Sequence, residues 1–145
     1  MKWLFVALLM CVPRLASAQT CSFVSVVNLN FGIYSGPQLA SSGSITYNCT
    51  GLGAGTVTID LSRGVALSYL PRQLRDGALH LDYNLYLDAG FAAIWGDGTG
   101  GTAHYGPVAP PDGTNVSVNM FGRVFAAQNV PAGTYFDTLQ ITLNF

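Results

Sequence analysis

Residues 133 to 145 read GTYFDTLQITLNF. Leu139, Ile141, Leu143 and Phe145 fall on one side of this stretch, and Gln140, Thr142 and Asn144 on the other. A period of two marks a half-buried β-strand, because successive side chains of an extended backbone point to opposite faces. The turn Pro131-Ala132-Gly133 precedes it, and no charged residue follows Asp137. Exposed strand edges are normally blunted by charge or proline; this strand has neither. Either another strand of the same chain covers it, or a strand of another molecule pairs with it. The sequence stops at Phe145 with no turn towards a further strand, which makes that choice the central question.

Working back from this strand, short extended segments follow one another with turn residues between them. Ser22 to Val27 and Leu29 to Tyr34 are rich in valine and aromatics and end at Gly36-Pro37. Ser44 to Cys49 alternates, with Ile45, Tyr47 and Cys49 on one face, and so do Val57, Ile59 and Leu61. Leu79 to Asp88 is the clearest strand: Leu79, Leu81, Tyr83, Leu85 and Leu87 face one way, and His80, Asp82, Asn84, Tyr86 and Asp88 the other. Phe91 to Trp95 runs into the loop Gly96-Asp97-Gly98-Thr99-Gly100-Gly101, and Pro107 to Gly113 is a second loop. Val116, Val118, Met120 and Gly122 alternate again. No segment of ten or more residues has helical periodicity. Six or seven short strands with regular turns predict an all-β chain, an immunoglobulin-like β-sandwich, with a barrel as the alternative.

The first 18 residues have another purpose. Lys2 is followed by the apolar run WLFVALLMCV, then by Pro13-Arg14 and the small-x-small site Ala16-Ser17-Ala18. This pattern predicts a secretory signal peptide cleaved after Ala18; the apolar run is about half of what a membrane-spanning helix needs. The domain then spans 19–145. It holds four arginines (Arg63, Arg72, Arg75, Arg123) against seven aspartates, a net charge of −3, with no lysine and no glutamate. No basic stripe is present to bind nucleic acid. The absence of Lys and Glu also disfavours solvated helices. Cys21 and Cys49 remain after processing. Two cysteines outside metal-type spacing, in an exported chain, predict one disulfide.

Catalytic patterns are missing. His80 lies on the polar face of a strand, His104 beside the Gly-rich loop, and neither has a motif around it. Both read as solvent-exposed. A glycosidase needs paired carboxylates across one bond, but Asp82 and Asp88 on one strand face sit roughly 20 Å apart at strand rise. The stretch WGDGTGG (95 to 101) lacks the acidic ligands of a calcium loop and the Lys-Ser/Thr of a phosphate loop, so glycine-rich turn chemistry explains it. Neither an enzyme nor a cofactor or metal site is expected.

One family matches these residues in order. Cys21, then Asn30-Phe31-Gly32-x-Tyr34, then Gly43-Ser44-Ile45-Thr46-Tyr47-Asn48-Cys49 resemble the spore coat protein U domain. So do Arg72 and Leu74, LDYNLYLDA (81 to 89), Trp95-Gly96-Asp97-Gly98-Thr99, Phe121-Gly122-Arg123-Val124 and QNVPAGTYFDTLQITLNF (128 to 145). The pilin subunits of archaic, Csu-type chaperone–usher pili share this domain. Phe125-Ala126-Ala127 departs from it, where the family tends to have Pro and Gly.

The resemblance implies an incomplete immunoglobulin-like sandwich that lacks its last strand. A periplasmic chaperone, and later a neighbouring subunit, would donate that strand, with an outer-membrane usher as assembly partner. It implies an acceptor groove lined by Leu139, Ile141, Leu143 and Phe145. It also implies Sec export through the periplasm to a cell-surface pilus or spore coat. With cleavage after Ala18, only Gln19-Thr20 precede Cys21, too few to donate a strand of ten or so residues. The expectation is therefore a terminal, tip-like subunit or a coat protein. Phe91, Ile94 and Trp95 beside the glycine loop are candidates for a surface contact, or else pack into the end of the sandwich. The competing function is a self-sufficient secreted binding or adhesion domain, for instance for polysaccharide.

Overall fold

The computed structural model describes residues 18–145. The signal-peptide reading falls, but for Ala18, outside the described residues. Eight strands follow in chain order: β1 (Thr20–Val27), β2 (Leu39–Thr50), β3 (Val57–Leu61), β4 (Arg72–Asp76), β5 (Leu79–Tyr86), β6 (Tyr105–Val108), β7 (Asn115–Val124) and β8 (Ile141–Asn144). They form a five-stranded sheet in the order β1-β2-β7-β5-β4 and a three-stranded sheet in the order β6-β3-β8. Every pairing between strands is antiparallel. The two sheets pack as the expected immunoglobulin-like sandwich.

Alternation in the sequence becomes the core. Ile45, Tyr47 and Cys49 of β2 and Val57, Ile59 and Leu61 of β3 are buried, and the residues between them are partly or fully exposed. Leu81, Leu85, Val118, Met120 and Val124 complete the layer between the sheets. Full burial of a side chain of this size stabilises by about 1.5–3 kcal/mol. The disulfide Cys21–Cys49 joins β1 to β2 at directly opposed positions, with the Cα atoms 4.1 Å apart.

Four details differ from the sequence reading. Leu29 to Tyr34 is not a strand. The Gly32 N–H donates to Asn30 Oδ1 (2.9 Å) and Gly32 has φ +76°, so a side-chain turn competes with the ladder. The segment instead drops Leu29 and Phe31 onto a notch made by Gly43 and Gly122. A Cβ at Gly122 would lie 2.4 Å from Leu29 Cδ2 and 2.6 Å from Phe31 Cζ. Second, β4 was not anticipated, because RQLRD carries little apolar pattern. Third, β6 occupies part of the expected loop from Pro107. Fourth, the far half of the polar face of β5 is buried: Tyr86 meets Phe91 and bridges to Ile94, and Asn84 is enclosed by Arg72 and the Tyr69 carbonyl.

Asn84 is buried for a reason. Arg72, fully buried, donates from Nη1 to Asn84 Oδ1 (2.9 Å), from Nε and Nη2 to the Ser62 carbonyl (3.0 and 2.9 Å) and from Nη2 to the Trp95 carbonyl (2.7 Å). Asn84 Nδ2 donates in turn to the Tyr69 carbonyl (2.7 Å). One guanidinium therefore ties three loop segments to the end of the sandwich. Burial pulls its pKa down, and nearby Tyr83, Tyr69 and Asp137 pull it back up.

Candidate functional site

A two-sheet sandwich has four outer strand edges. The β6 edge carries Pro107, which offers no N–H. The β4 edge is capped by the chain itself: the Arg75 N–H donates to the Phe136 carbonyl (2.8 Å) and the Phe136 N–H to the Arg75 carbonyl (3.1 Å). Among the described residues, β1 and β8 have no strand on their outer sides. They lie near one another across the gap between the sheets.

Register shows what that gap lacks. Phe23 pairs with Tyr47 and Val26 with Ile45, so both side chains share the core face of the five-stranded sheet. Tyr47 and Ile45 are 0% exposed, yet Phe23 is 39% and Val26 41% exposed. Among the described residues, Phe23 and Val26 on the core face of β1 are only partly covered. On the other wall, Leu61 pairs with Ile141 and Ile59 with Leu143. Ile59 and Leu61 are buried, whereas Ile141 and Leu143 are only half-buried. Both uncovered faces look into the same space.

That space is a groove with two chambers. A cavity of about 420 Å³ lies between Val26, Met120 and Leu85 on one side and Leu139 and Ile141 on the other. A larger one of about 810 Å³ continues past the start of β8, between residues 28–34 and 130–137, and shares Leu29, Phe31, Leu74 and Asp137 with the first. Asp137, at the junction, is the only charged residue on either lining among the described residues. Its Oδ2 accepts from the Tyr83 hydroxyl (2.6 Å), and its Oδ1 from the N–H groups of Val65 and Thr138 (2.8 Å each). Burial, and then the bond to Asp137, push the Tyr83 phenol well above its usual range, so it stays a neutral donor.

The residues singled out in the sequence separate into two places. Leu139, Ile141 and Leu143 stand on the groove side of the last strand. Phe145 lies past the ladder and is 56% exposed. Phe91, Ile94 and Trp95 differ in exposure: Phe91 and Ile94 are half-buried and Trp95 is buried. Trp95 is fully buried and its indole N–H donates to the Ile59 carbonyl (2.8 Å). Ile94 bridges to Tyr86, and Phe91 meets Tyr86 edge-on (centroids 5.3 Å apart) under the Arg123 guanidinium. The sequence did not reveal the second wall, Phe23, Val26, Leu29 and Phe31.

The histidines stand apart from the groove. His80 Nε2 is 4.0 Å from Asp82 Oδ1 on an exposed face, and His104 is half-buried with Nδ1 3.3 Å from Asp60 Oδ1. In the glycine loop, Asp97 Oδ1 accepts from the Thr99 N–H (3.0 Å) and hydroxyl (2.6 Å). No group of three or more potential metal ligands exists among the described residues.

The family model described as Spore Coat Protein U domain matches residues 7–142. Protein U of Myxococcus xanthus is 31% identical over 131 residues, covering 81% of this chain and 71% of that protein. Among solved structures, the fold is similar to a chain of the CsuC–CsuE chaperone–tip adhesion subunit pre-assembly complex from archaic chaperone–usher Csu pili of Acinetobacter baumannii. The TM-score is 0.64 at 18% identity, over 88% of this chain. This chain spans 40% of that chain's length. At this identity the likeness is one of fold.

Proposed function

The chain belongs to the Spore Coat Protein U domain family, and we propose that it is a non-enzymatic structural subunit of a cell-surface fibre or spore coat, completed by a strand donated from another molecule. One observation carries this reading. Among the described residues the edge strands β1 and β8 lie near one another without being paired, and the core-side residues behind them, Phe23 and Val26 on β1 and Ile141 and Leu143 on β8, are only partly covered. An incoming extended segment can pair with the β8 backbone while its alternate side chains fill the groove, the physics of β-augmentation. Leu139, Ile141 and Leu143 act as the acceptor wall.

The partners are suggested by the family and by the chaperone–subunit complex whose fold this chain resembles. The segment comes first from a periplasmic chaperone that shields the open edge during export, and then from a neighbouring subunit added at an usher. Thr20–Val27 is already committed to β2 by its ladder and by the disulfide, so it has no free strand to lend. A mature N-terminus at Gln19 makes this subunit an acceptor that does not donate, the role of a fibre tip.

The test is periplasmic production of the processed chain with and without its cognate chaperone, followed by mass determination and N-terminal sequencing. A soluble one-to-one complex, and little soluble chain alone, supports strand acceptance. A stable monomer formed without any partner sinks it and favours a self-sufficient binding domain. An N-terminus well upstream of Gln19 removes the tip role and leaves acceptance standing.

A further inference from the structure

Cleavage after Ala18 puts Gln19 at the head of the chain. In the precursor the Gln19 backbone nitrogen is an amide, whose lone pair is delocalised into the carbonyl. Cleavage turns it into a free α-amine with a pKa of about 8, so part of it is neutral and nucleophilic at neutral pH. The electrophile, the side-chain carboxamide, belongs to the same residue. Ring closure within one residue needs no neighbour to bring the two groups together, which is the proximity advantage of an intramolecular reaction. Nothing in the fold obstructs it. Gln19 is exposed and lies ahead of β1, whose ladder begins with the pair Thr20 and Thr50. The ring takes in only the N, Cα, Cβ, Cγ and Cδ atoms of Gln19. Its closure therefore leaves that ladder, and the disulfide at Cys21, in place.

We infer that Gln19 is a modification site, closing to pyroglutamate once the signal peptide is removed. The α-nitrogen attacks Cδ. The new N–Cδ bond forms as the Cδ–Nε2 bond breaks, and Nε2 leaves as ammonia, carrying one proton from the amine. No atom changes oxidation state and no co-reactant is consumed. The product is a neutral lactam. The inference rests on cleavage after Ala18 and is independent of strand acceptance. It is also tied to that one boundary, because neither Ala18 nor Thr20 carries a side-chain carbonyl. The consequence is particular to this chain. Residues 19–145 contain no lysine, so cyclisation removes the sole primary amine among them together with its positive charge. Cys21 and Cys49 are bonded to one another, and Cys11 leaves with the signal peptide, so these residues hold no free thiol either. The positive charges left are four arginines, of which Arg72 is buried. Residues 19–145 then offer neither an amine nor a thiol for a covalent cross-link, and no free amine to an aminopeptidase. Their contacts with neighbours through such groups are non-covalent.

The experiment produces the full precursor in a periplasm, free or with its chaperone, and takes the processed chain directly from the fresh extract. The chain is reduced and cut with chymotrypsin after Phe23, and the N-terminal fragment QTCSF (19 to 23) is weighed and sequenced by fragmentation. Whole chains are treated in parallel with an amine-reactive ester. Gln19→Ser is the control, since it keeps a small polar residue after the cleavage site and cannot cyclise. The parent fragment should be lighter than QTCSF by one ammonia. Pyroglutamyl aminopeptidase should remove its first residue and uncover Thr20. The parent chain should take up no amine label, and Q19S one label per chain. Both readouts work on unfolded protein, so a chain that folds poorly still answers. A fragment that starts at Gln19 with its full mass, from a chain labelled as Q19S is, overturns the inference and leaves cleavage after Ala18 standing. A first residue other than Gln19 overturns both.

Discussion

Val26 and Val27 are neighbours on one strand, and the groove makes opposite predictions for them. Val26 is 41% and Val27 55% exposed, so an aspartate at either position is solvated in the free chain. Val26 shares the face of Ile45, and Val27 that of Ser44, so an inserted strand covers only Val26. A carboxyl group covered in an apolar groove without a partner is most cheaply held in its protonated form. At pH 7, raising its pKa from about 3.9 to above 7 costs about 4 kcal/mol. The apolar burial lost with the remaining valine surface adds about 1 kcal/mol. V26D should thus weaken binding of chaperone or donor peptide by about 10³- to 10⁴-fold, and V27D by less than threefold. The sign of the pH effect gives a second handle. The bound V26D carboxyl is neutral and the free one charged, so binding takes up a proton. Affinity then rises about tenfold for each unit that pH falls from 7 towards 4, and the defect shrinks by about a hundredfold at pH 5. Co-purification with the chaperone, and peptide titration at pH 7 and pH 5, read both numbers. Equal losses for the two variants, or a V26D defect that ignores pH, would refute the claim that a strand covers this face.

Three further outcomes follow from the fold. Arg72→Met removes a buried charge but orphans the Ser62 and Trp95 carbonyls, while Asn84 Oδ1 keeps the Leu85 N–H; at about 1–3 kcal/mol for each unpaired buried acceptor, urea unfolding of the partner complex should show a loss of at least about 2 kcal/mol. Gly122→Val forces Leu29 and Phe31 out of their notch; overpacking of this kind costs about 1–3 kcal/mol, and Leu29→Ala in the same chain should recover part of it, read by melting temperature. Asp88, bonded by the N–H groups of Ala93 and Ala92, and Asp97, bonded first by the Thr99 hydroxyl, both have lowered pKa values. Their contribution to stability is complete above the unfolded carboxylate pKa near 4 and is lost as pH falls through the lower folded values, so melting temperature should fall below about pH 4, and Asp88→Asn should flatten part of that fall.

Much of the sandwich was legible because period-two patterns report a face directly. Ile45, Tyr47 and Cys49, then Val57, Ile59 and Leu61, are buried where alternation put them. The pattern failed wherever burial came from elsewhere in the chain. Asn84 and Tyr86 looked like solvent positions, but Arg72 and the Tyr69 carbonyl enclose the first and Phe91 and Ile94 meet the second. Arg72 stands in a polar pentapeptide with no local sign of burial, yet its acceptors come from residues 62, 84 and 95, a convergence no local window contains. Leu29 and Phe31 looked like strand residues, and only the closeness of Gly43 and Gly122 in space explains why they leave the ladder.

The open groove was half legible for the same reason. Alternation identifies the face that a strand turns inwards, but it does not say whether anything lies opposite that face. Val26 and Ile45 have the same chemistry and stand side by side on one face; one is 41% and the other 0% exposed. What separates them is which strand edges of this chain remain unpaired, a property of topology. The β8 wall could be recognised because a long strand without charge or proline is anomalous as a free edge. The β1 wall became visible only when register placed Phe23 and Val26 on the core face and exposure showed them only partly covered. An acceptor surface built this way has no motif of its own. Its residues are ordinary core residues, and on the proposed reading their function lies in a neighbour supplied by another molecule.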